Sequence, residues 1–133
     1  MYLLDTNIMS DLIRHPDGAV AARIAEASEA VVATSIIVAA ELRFGAERRG
    51  SERLTARVDE LLRLVPVHPL KEDADGHYGR LRADLERQGK PIGNNDMLIA
   101  AHALALDATL VTDNLREFER VPGLRVENWL RQS

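Results

Sequence analysis

Five apolar runs of only four or five residues each punctuate this chain: Tyr2–Asp5, Val31–Thr34, Leu64–His68, Thr109–Thr112 and Leu124–Glu127. Between them lie longer stretches whose apolar residues recur at helical spacing. Runs this short, without an alternating polar face, read as strands buried on both sides. Short buried strands separated by helices restrict the chain to an α/β layer fold with a mostly parallel sheet. In such sheets a ligand site lies beyond the carboxyl ends of the strands.

The punctuation gives the helices their bounds. A helix over Asn7–Arg14 stops before Pro16, and a second covers Ala19–Ser28. Ser35 is placed to cap a helix from Ile36 to about Arg49, Gly50-Ser51 breaks it, and Glu52–Arg63 resumes. Pro66 sends the third strand towards a sheet edge. A charged helix over Lys71–Gln88 ends at Gly89, and Asn94 or Asn95 caps a helix over Asp96–Leu106. Asp113–Glu119 reads as a turn or short helix.

The 133 residues fit one domain, 1–133. The absence of cysteine excludes a disulfide framework, a thiolate zinc site and a cysteine nucleophile. No apolar run approaches the ~20 residues that cross a bilayer. The opening Met1-Tyr2-Leu3-Leu4-Asp5 carries no basic segment of the kind that begins a signal peptide, so the expected address is the cytoplasm. A net charge of −4 argues against a general nucleic-acid coat. Of the 17 cations, all but Lys71 and Lys90 are arginine. That suits bidentate phosphate contacts, and a bias in genome composition would produce the same count.

Four acids stand where acids are costly. Asp5 closes the first apolar run, a position that an ordinary helix cap would also explain. Glu41 shares a helical face with Ile37, Ala40 and Phe44, so that face is expected inside, with its carboxylate paired to an arginine or binding a metal. Asp96 opens a helix whose face continues with Ile99, Ala100 and Ala103; the helix dipole alone would favour an acid there. Asp113 follows the strand Thr109–Thr112, where turn chemistry is the plain alternative. Taken together, these acids can converge at one edge of a parallel sheet, and an all-oxygen set suits Mg²⁺ or Mn²⁺.

Other chemistries lack their parts. There is no Gly-x-Ser-x-Gly, no Gly-x-Gly-x-x-Gly and no loop ending in Gly-Lys-Ser/Thr. His15, His68, His77 and His102 have unrelated spacings, and His102 reads as a packing residue. An aspartyl phosphatase would want a second acid where Asn7 stands. A receiver-like binding module would want paired acids after the first strand and a lysine beyond Lys90. A degenerate acid-pocket protein that binds without cutting is the remaining alternative, and the four acids weigh against it.

The segments Leu4-Asp5-Thr6-Asn7, Ala40-Glu41-Leu42-Arg43-Phe44-Gly45, Ile92-Gly93-Asn94-Asn95-Asp96-Met97 continuing to Ala103, and Leu110-Val111-Thr112-Asp113-Asn114 with Glu117-Phe118 and Val121-Pro122-Gly123-Leu124 occur in that order. In this they resemble PIN-domain ribonucleases, above all the VapC toxins of bacterial toxin–antitoxin pairs. The resemblance runs from Met1 to about Trp129. It implies a three-layer α/β/α domain around a central parallel sheet. It also implies a metal site of Asp5, Glu41, Asp96 and Asp113 holding one or two Mg²⁺ or Mn²⁺ ions, with Asn114 as an alternative to Asp113. Thr6, Asn7, Thr112 and Asn114 would orient the ligands. A metal-activated water would attack phosphorus in line and leave 5′-phosphate and 3′-hydroxyl ends. Arg43, Arg48, Arg49, Arg87, Lys90 and Arg116 are the candidate RNA contacts. The resemblance further implies an RNA target, with initiator tRNA the first choice, and a VapB antitoxin whose tail lies in a groove and blocks the site. The apolar helices around Ala19–Ala27 and Ile36–Ala46 are the expected places for a partner helix or a homodimer contact.

Overall fold

In a computed structural model, which describes residues 1–27 and 31–130, the sheet is five-stranded and wholly parallel. In chain order the elements are β1 (Tyr2–Leu4), α1 (Thr6–Arg14), α2 (Ala19–Glu26), β2 (Val32–Ser35), α3 (Ile36–Arg49), α4 (Glu52–Leu64) and β3 (Val67–His68). They continue with α5 (Ala74–Arg87), α6 (Asn94–Ala105), β4 (Thr109–Val111), α7 (Leu115–Phe118) and β5 (Val126–Glu127). The expected end of α2 at Ser28 lies outside the described residues.

The strand order β3-β2-β1-β4-β5 makes β1 the centre of the sheet. The path runs outwards from β1 through β2 to β3, then returns to the far side of β1 as β4. Its reversal therefore falls between β1 and β4, which pair in register from Tyr2 with Thr109 to Leu4 with Val111. Leu3, Leu4, Leu110 and Val111 are fully buried, as strands covered on both faces require. Ile8, Met9, Val38, Ile99 and Phe118 complete the core from the surrounding helices. Helices α1 to α4 pack among themselves and α5 packs along α6, flanking the sheet.

Local chemistry sets the helix starts. Ser35 Oγ accepts from the Ile37 amide at 3.1 Å and caps α3, and Ser51 Oγ does the same for α4 through Leu54. Gly50 ends α3 in the left-handed region, φ +61°, where a side chain would be strained. Pro66 lends its carbonyl to the Thr34 amide and leads into the edge strand β3, as its missing N–H requires.

Two expectations are corrected. Neither Asn94 nor Asn95 caps α6: both lie inside its first turn, and Gly93 stands at the cap position without a side-chain bond. The face of α3 that carries Ile37, Ala40, Glu41 and Phe44 is not inside. Val38, Ala39, Leu42 and Ala46 are the buried residues, whereas Phe44 is 65% exposed. The apolar companions of Glu41 misled because helix α3 covers the sheet with its other side and leaves a partly apolar stripe uncovered.

Among the described residues no helix is long and apolar enough to cross a membrane.

Candidate active site

The reversal between β1 and β4 is where the acids meet. Asp5 extends β1 by one residue, and it doubles as the cap of α1: Oδ1 accepts from the Thr6 amide at 2.8 Å. Across the crevice Thr112, the residue after β4, donates its hydroxyl to Asp5 Oδ2 at 2.8 Å. Asp5 is only 4% exposed. Burial pushes its carboxyl upwards in pKa; the bonds from Thr112 and Thr6 work against this, and the charges of Glu41 and Glu117 add to it.

Glu41 comes in from α3, half-buried, with Oε1 accepting from the Thr6 hydroxyl at 2.6 Å. Thr6 thus ties two acids from distant parts of the chain, its amide to Asp5 and its hydroxyl to Glu41. Asp96 arrives in the first turn of α6. Its carboxyl is pushed up to about 8. Burial is the largest cause, followed by a hydrogen bond to Glu117, the charge of Glu117, and the charges of Asp5 and Glu41. Asp96 therefore keeps its proton near neutrality beside Glu117.

Glu117 is the residue that the sequence reading left out. It lies on the single turn α7, where Oε1 accepts from the Gly93 amide at 3.1 Å and Oε2 from the Asn114 side-chain amide. The signal was present as Asn114-x-x-Glu117, but that spacing is also an ordinary capping pattern.

Asp113 is placed differently from the other three expected acids. It is exposed, its Oδ1 accepts from the Asn128 side-chain amide at 2.9 Å, and its own amide donates to Asn7 Oδ1 at 3.1 Å. Asn7 and Asn114 shape the turn after β4: Asn7 holds the Asp113 amide, and the Asn114 amide donates to Thr112 Oγ1 at 3.0 Å.

The candidate RNA contacts divide. Arg43 is already paired with Asp59 at 2.6 Å, and Arg87 stands 3.8 Å from Asp84. Arg48, Lys90 and Arg116 are exposed. Arg49 lines a cavity of about 380 Å³ between α1, α3 and α4, whose wall includes Thr6, Ile13, Arg14, Glu41 and Leu54.

Asp5, Glu41, Asp96 and Glu117 offer only oxygen, the donor type of hard divalent ions. Burial first, and then their closeness to one another, pushes the Asp96 carboxyl up to about 8, so it keeps a proton near neutrality. The donor chemistry therefore fits Mg²⁺ or Mn²⁺. Among the described residues no three acids or histidines stand together as a closed cage for a metal ion.

The fold has close counterparts. The family model described as PIN domain matches residues 2–124. The chain is similar to the "Ribonuclease VapC2" of Rickettsia felis, 41% identical over 131 residues, covering 97% of this chain and 98% of that one. It is also similar to the "tRNA(fMet)-specific endonuclease VapC" of Shigella flexneri, 37% identical over 129 residues, with 96% and 97% covered. Among solved structures, VapBC2 from Rickettsia felis bound to a DNA fragment from their promoter aligns with a TM-score of 0.89 at 37% identity, covering 96% of this chain and 98% of that chain. The chain belongs to the PIN-domain family, and within it to the VapC ribonucleases of toxin–antitoxin pairs.

Proposed function

We propose that this protein is an endoribonuclease toxin that hydrolyses RNA with the help of a divalent cation and is held in check by a VapB-type antitoxin. The observation that carries the reading is the acid edge itself: Asp5, Glu41, Asp96 and Glu117 gather at the reversal of a parallel sheet, where burial and then the acidic neighbours push the Asp96 carboxyl up to about 8.

Asp5, Glu41, Asp96 and Glu117 would hold Mg²⁺ or Mn²⁺, as one ion or two. The cation, when bound, acidifies water and neutralises charge on the scissile phosphate. The rest is done by the chain. Thr112 and the Thr6 amide fix both oxygens of Asp5, so one ligand is preset. The Thr6 hydroxyl aims Glu41, and the Gly93 amide aims Glu117. Asp96 holds a proton that it would have to release to serve as a ligand. Arg48, Arg49, Lys90 and Arg116 supply the positive charge that an RNA phosphate needs beside an acidic pocket. Asp113 is left as a turn residue in this account.

The likeness to an endonuclease specific for tRNA(fMet) supports initiator tRNA as the target. The cavity between α1, α3 and α4 opens on Thr6 and Glu41, which suits an antitoxin tail that blocks the acids from the side. The exposed stripe Ile36, Ala40 and Phe44 on α3 is an apolar surface for a homodimer or antitoxin contact. The cytoplasm, where tRNA is found, is the expected compartment.

The test is incubation of purified protein with total RNA in Mg²⁺ or Mn²⁺, then with chelator. Fragments bearing 5′-phosphates that vanish with chelator or with Asp5→Ala are expected. Intact RNA under all conditions, or fragments that persist in Asp5→Ala, would refute the reading.

A further inference from the structure

His102 reads from the sequence as packing, and its surroundings say more. It is 1% exposed, on α6, and its Nδ1 lies 2.7 Å from Ser35 Oγ, which is itself fully buried. Ser35 Oγ already accepts from the Ile37 amide as the cap of α3. Its one hydroxyl proton is therefore free to be donated to Nδ1. The ring is then neutral with its proton on Nε2, which faces the Pro69 carbonyl without making a hydrogen bond of good geometry. Burial lowers the pKa of the ring, in keeping with the neutral form.

The two helices joined by this bond are the ones that bring in Glu41 and Asp96. Ser35 stands six residues before Glu41, and His102 six residues after Asp96, so each arm is about 9 Å long at 1.5 Å per residue. The remaining acids are fixed by other means: Asp5 by the end of β1, and Glu117 by the Gly93 amide. Between α3 and α6, which pack together, the Ser35–His102 bond is a buried polar tie. A polar pair costs more to bury than an apolar one, and its bond has one geometry whereas apolar contacts have many.

We propose that the Ser35–His102 hydrogen bond is a positioning strut that sets the spacing of Glu41 from Asp96, and with it the grip of the site on its divalent cation. The inference rests on the metal-dependent reading above, and it makes His102 a positioning residue rather than a catalytic one. A ligand displaced by ~1 Å costs a reaction about 100-fold, so a strut 9 Å away has leverage.

The experiment compares His102→Leu, which keeps bulk and loses the bond, with His102→Asn, whose side-chain oxygen can accept at the Nδ1 position. His102→Gln, which reaches only the Nε2 position, is the further control. Mn²⁺ binding to the protein alone is followed by electron paramagnetic resonance, RNA affinity is measured in chelator, and single-turnover cleavage is measured at saturating RNA. His102→Leu is expected to weaken Mn²⁺ binding and slow cleavage by about 10- to 100-fold, the range for residues that orient metal ligands. RNA affinity in chelator should change less than about twofold, and His102→Asn should recover most of the loss while His102→Gln does not. A folded His102→Leu with wild-type Mn²⁺ affinity and rate would overturn the strut. So would His102→Asn behaving no better than His102→Gln, a comparison that still decides the matter if His102→Leu fails to fold. Wild-type protein that binds Mn²⁺ but leaves RNA intact would sink the ribonuclease reading, while the Mn²⁺ arm would still judge the strut.

Discussion

The two halves of the acid edge are built on opposite plans. On the β1 side, Asp5 is nearly sealed from solvent and both its oxygens are held, by Thr112 and by the Thr6 amide. On the α6 side, Asp96 is half-buried, and its strongest polar partner is another acid, Glu117. One half is a fixed ligand set by the strand that carries it. The other is a pair that stays together near neutrality by keeping a proton. The difference teaches how a folded protein can tolerate four clustered carboxylates: it holds Asp5, Glu41 and Glu117 with donors and leaves Asp96 protonated.

The largest effect that separates the halves from ordinary surface acids is loss of activity. Asp5→Ala and Asp96→Asn should each lower RNA cleavage by about 1,000-fold or more, since a cation at a scissile phosphate supplies several kcal/mol of transition-state stabilisation. Their stabilities should then part. Asp96→Asn keeps a neutral group where Asp96 already holds its proton and should leave the metal-free thermal midpoint unchanged or higher, whereas Asp5→Ala gives up the α1 cap and strands the buried Thr112 hydroxyl, so its midpoint should fall. Equal melting of the two variants would break the contrast.

The next effect concerns the fourth acid. Glu117→Gln should slow cleavage by about 100-fold, on the scale of one lost electrostatic contact to the reacting centre, and Asp113→Asn by less than about threefold. The reverse order in a single-turnover assay would return the role to Asp113. Smaller still is Thr112→Val. It leaves Asp5 Oδ2 without its donor, and should cost about 10-fold in rate, at the lower bound for a residue that orients a ligand.

The pH dependence has a definite sign. Asp96 binds its proton more tightly folded, at about 8, than unfolded, at 3.8. Its contribution to stability is therefore fully present below about pH 4 and is lost as pH rises towards 8, levelling off above. Chelated protein should lose thermal stability over that window by a few degrees, roughly the response of a domain this size to ~1 kcal/mol. Asp96→Asn should flatten the slope, and added Mg²⁺ should reverse it. A slope identical in wild type and Asp96→Asn would assign the titration to other groups.

The same contrast marks how far the sequence could be read. The alternation of apolar runs, Pro66 before an edge strand and Ser35 before α3 led to the layers and the parallel sheet, because burial on both faces leaves an unmistakable pattern. Asp5, Glu41 and Asp96 were legible as acids beside apolar companions. Glu117 was not, since its place depends on a one-turn helix folding back onto the Gly93 amide, a contact across 24 residues that no local spacing encodes. The buried face of α3 was misassigned for a related reason: two apolar stripes lie on that helix, and only the packing of the sheet decides which one is covered. His102 looked like packing because its partner is 67 residues away.

Mn²⁺ titration calorimetry at pH 7, run in two buffers of different ionisation enthalpy, tests the central claim most directly. Binding should release about one proton per site in the wild type, the one that Asp96 holds against its acidic neighbours, and close to none in Asp96→Asn, which should also bind more weakly. Tight binding with no proton released, or no binding at millimolar Mn²⁺, would contradict the idea that these carboxyl groups form a site for a divalent cation.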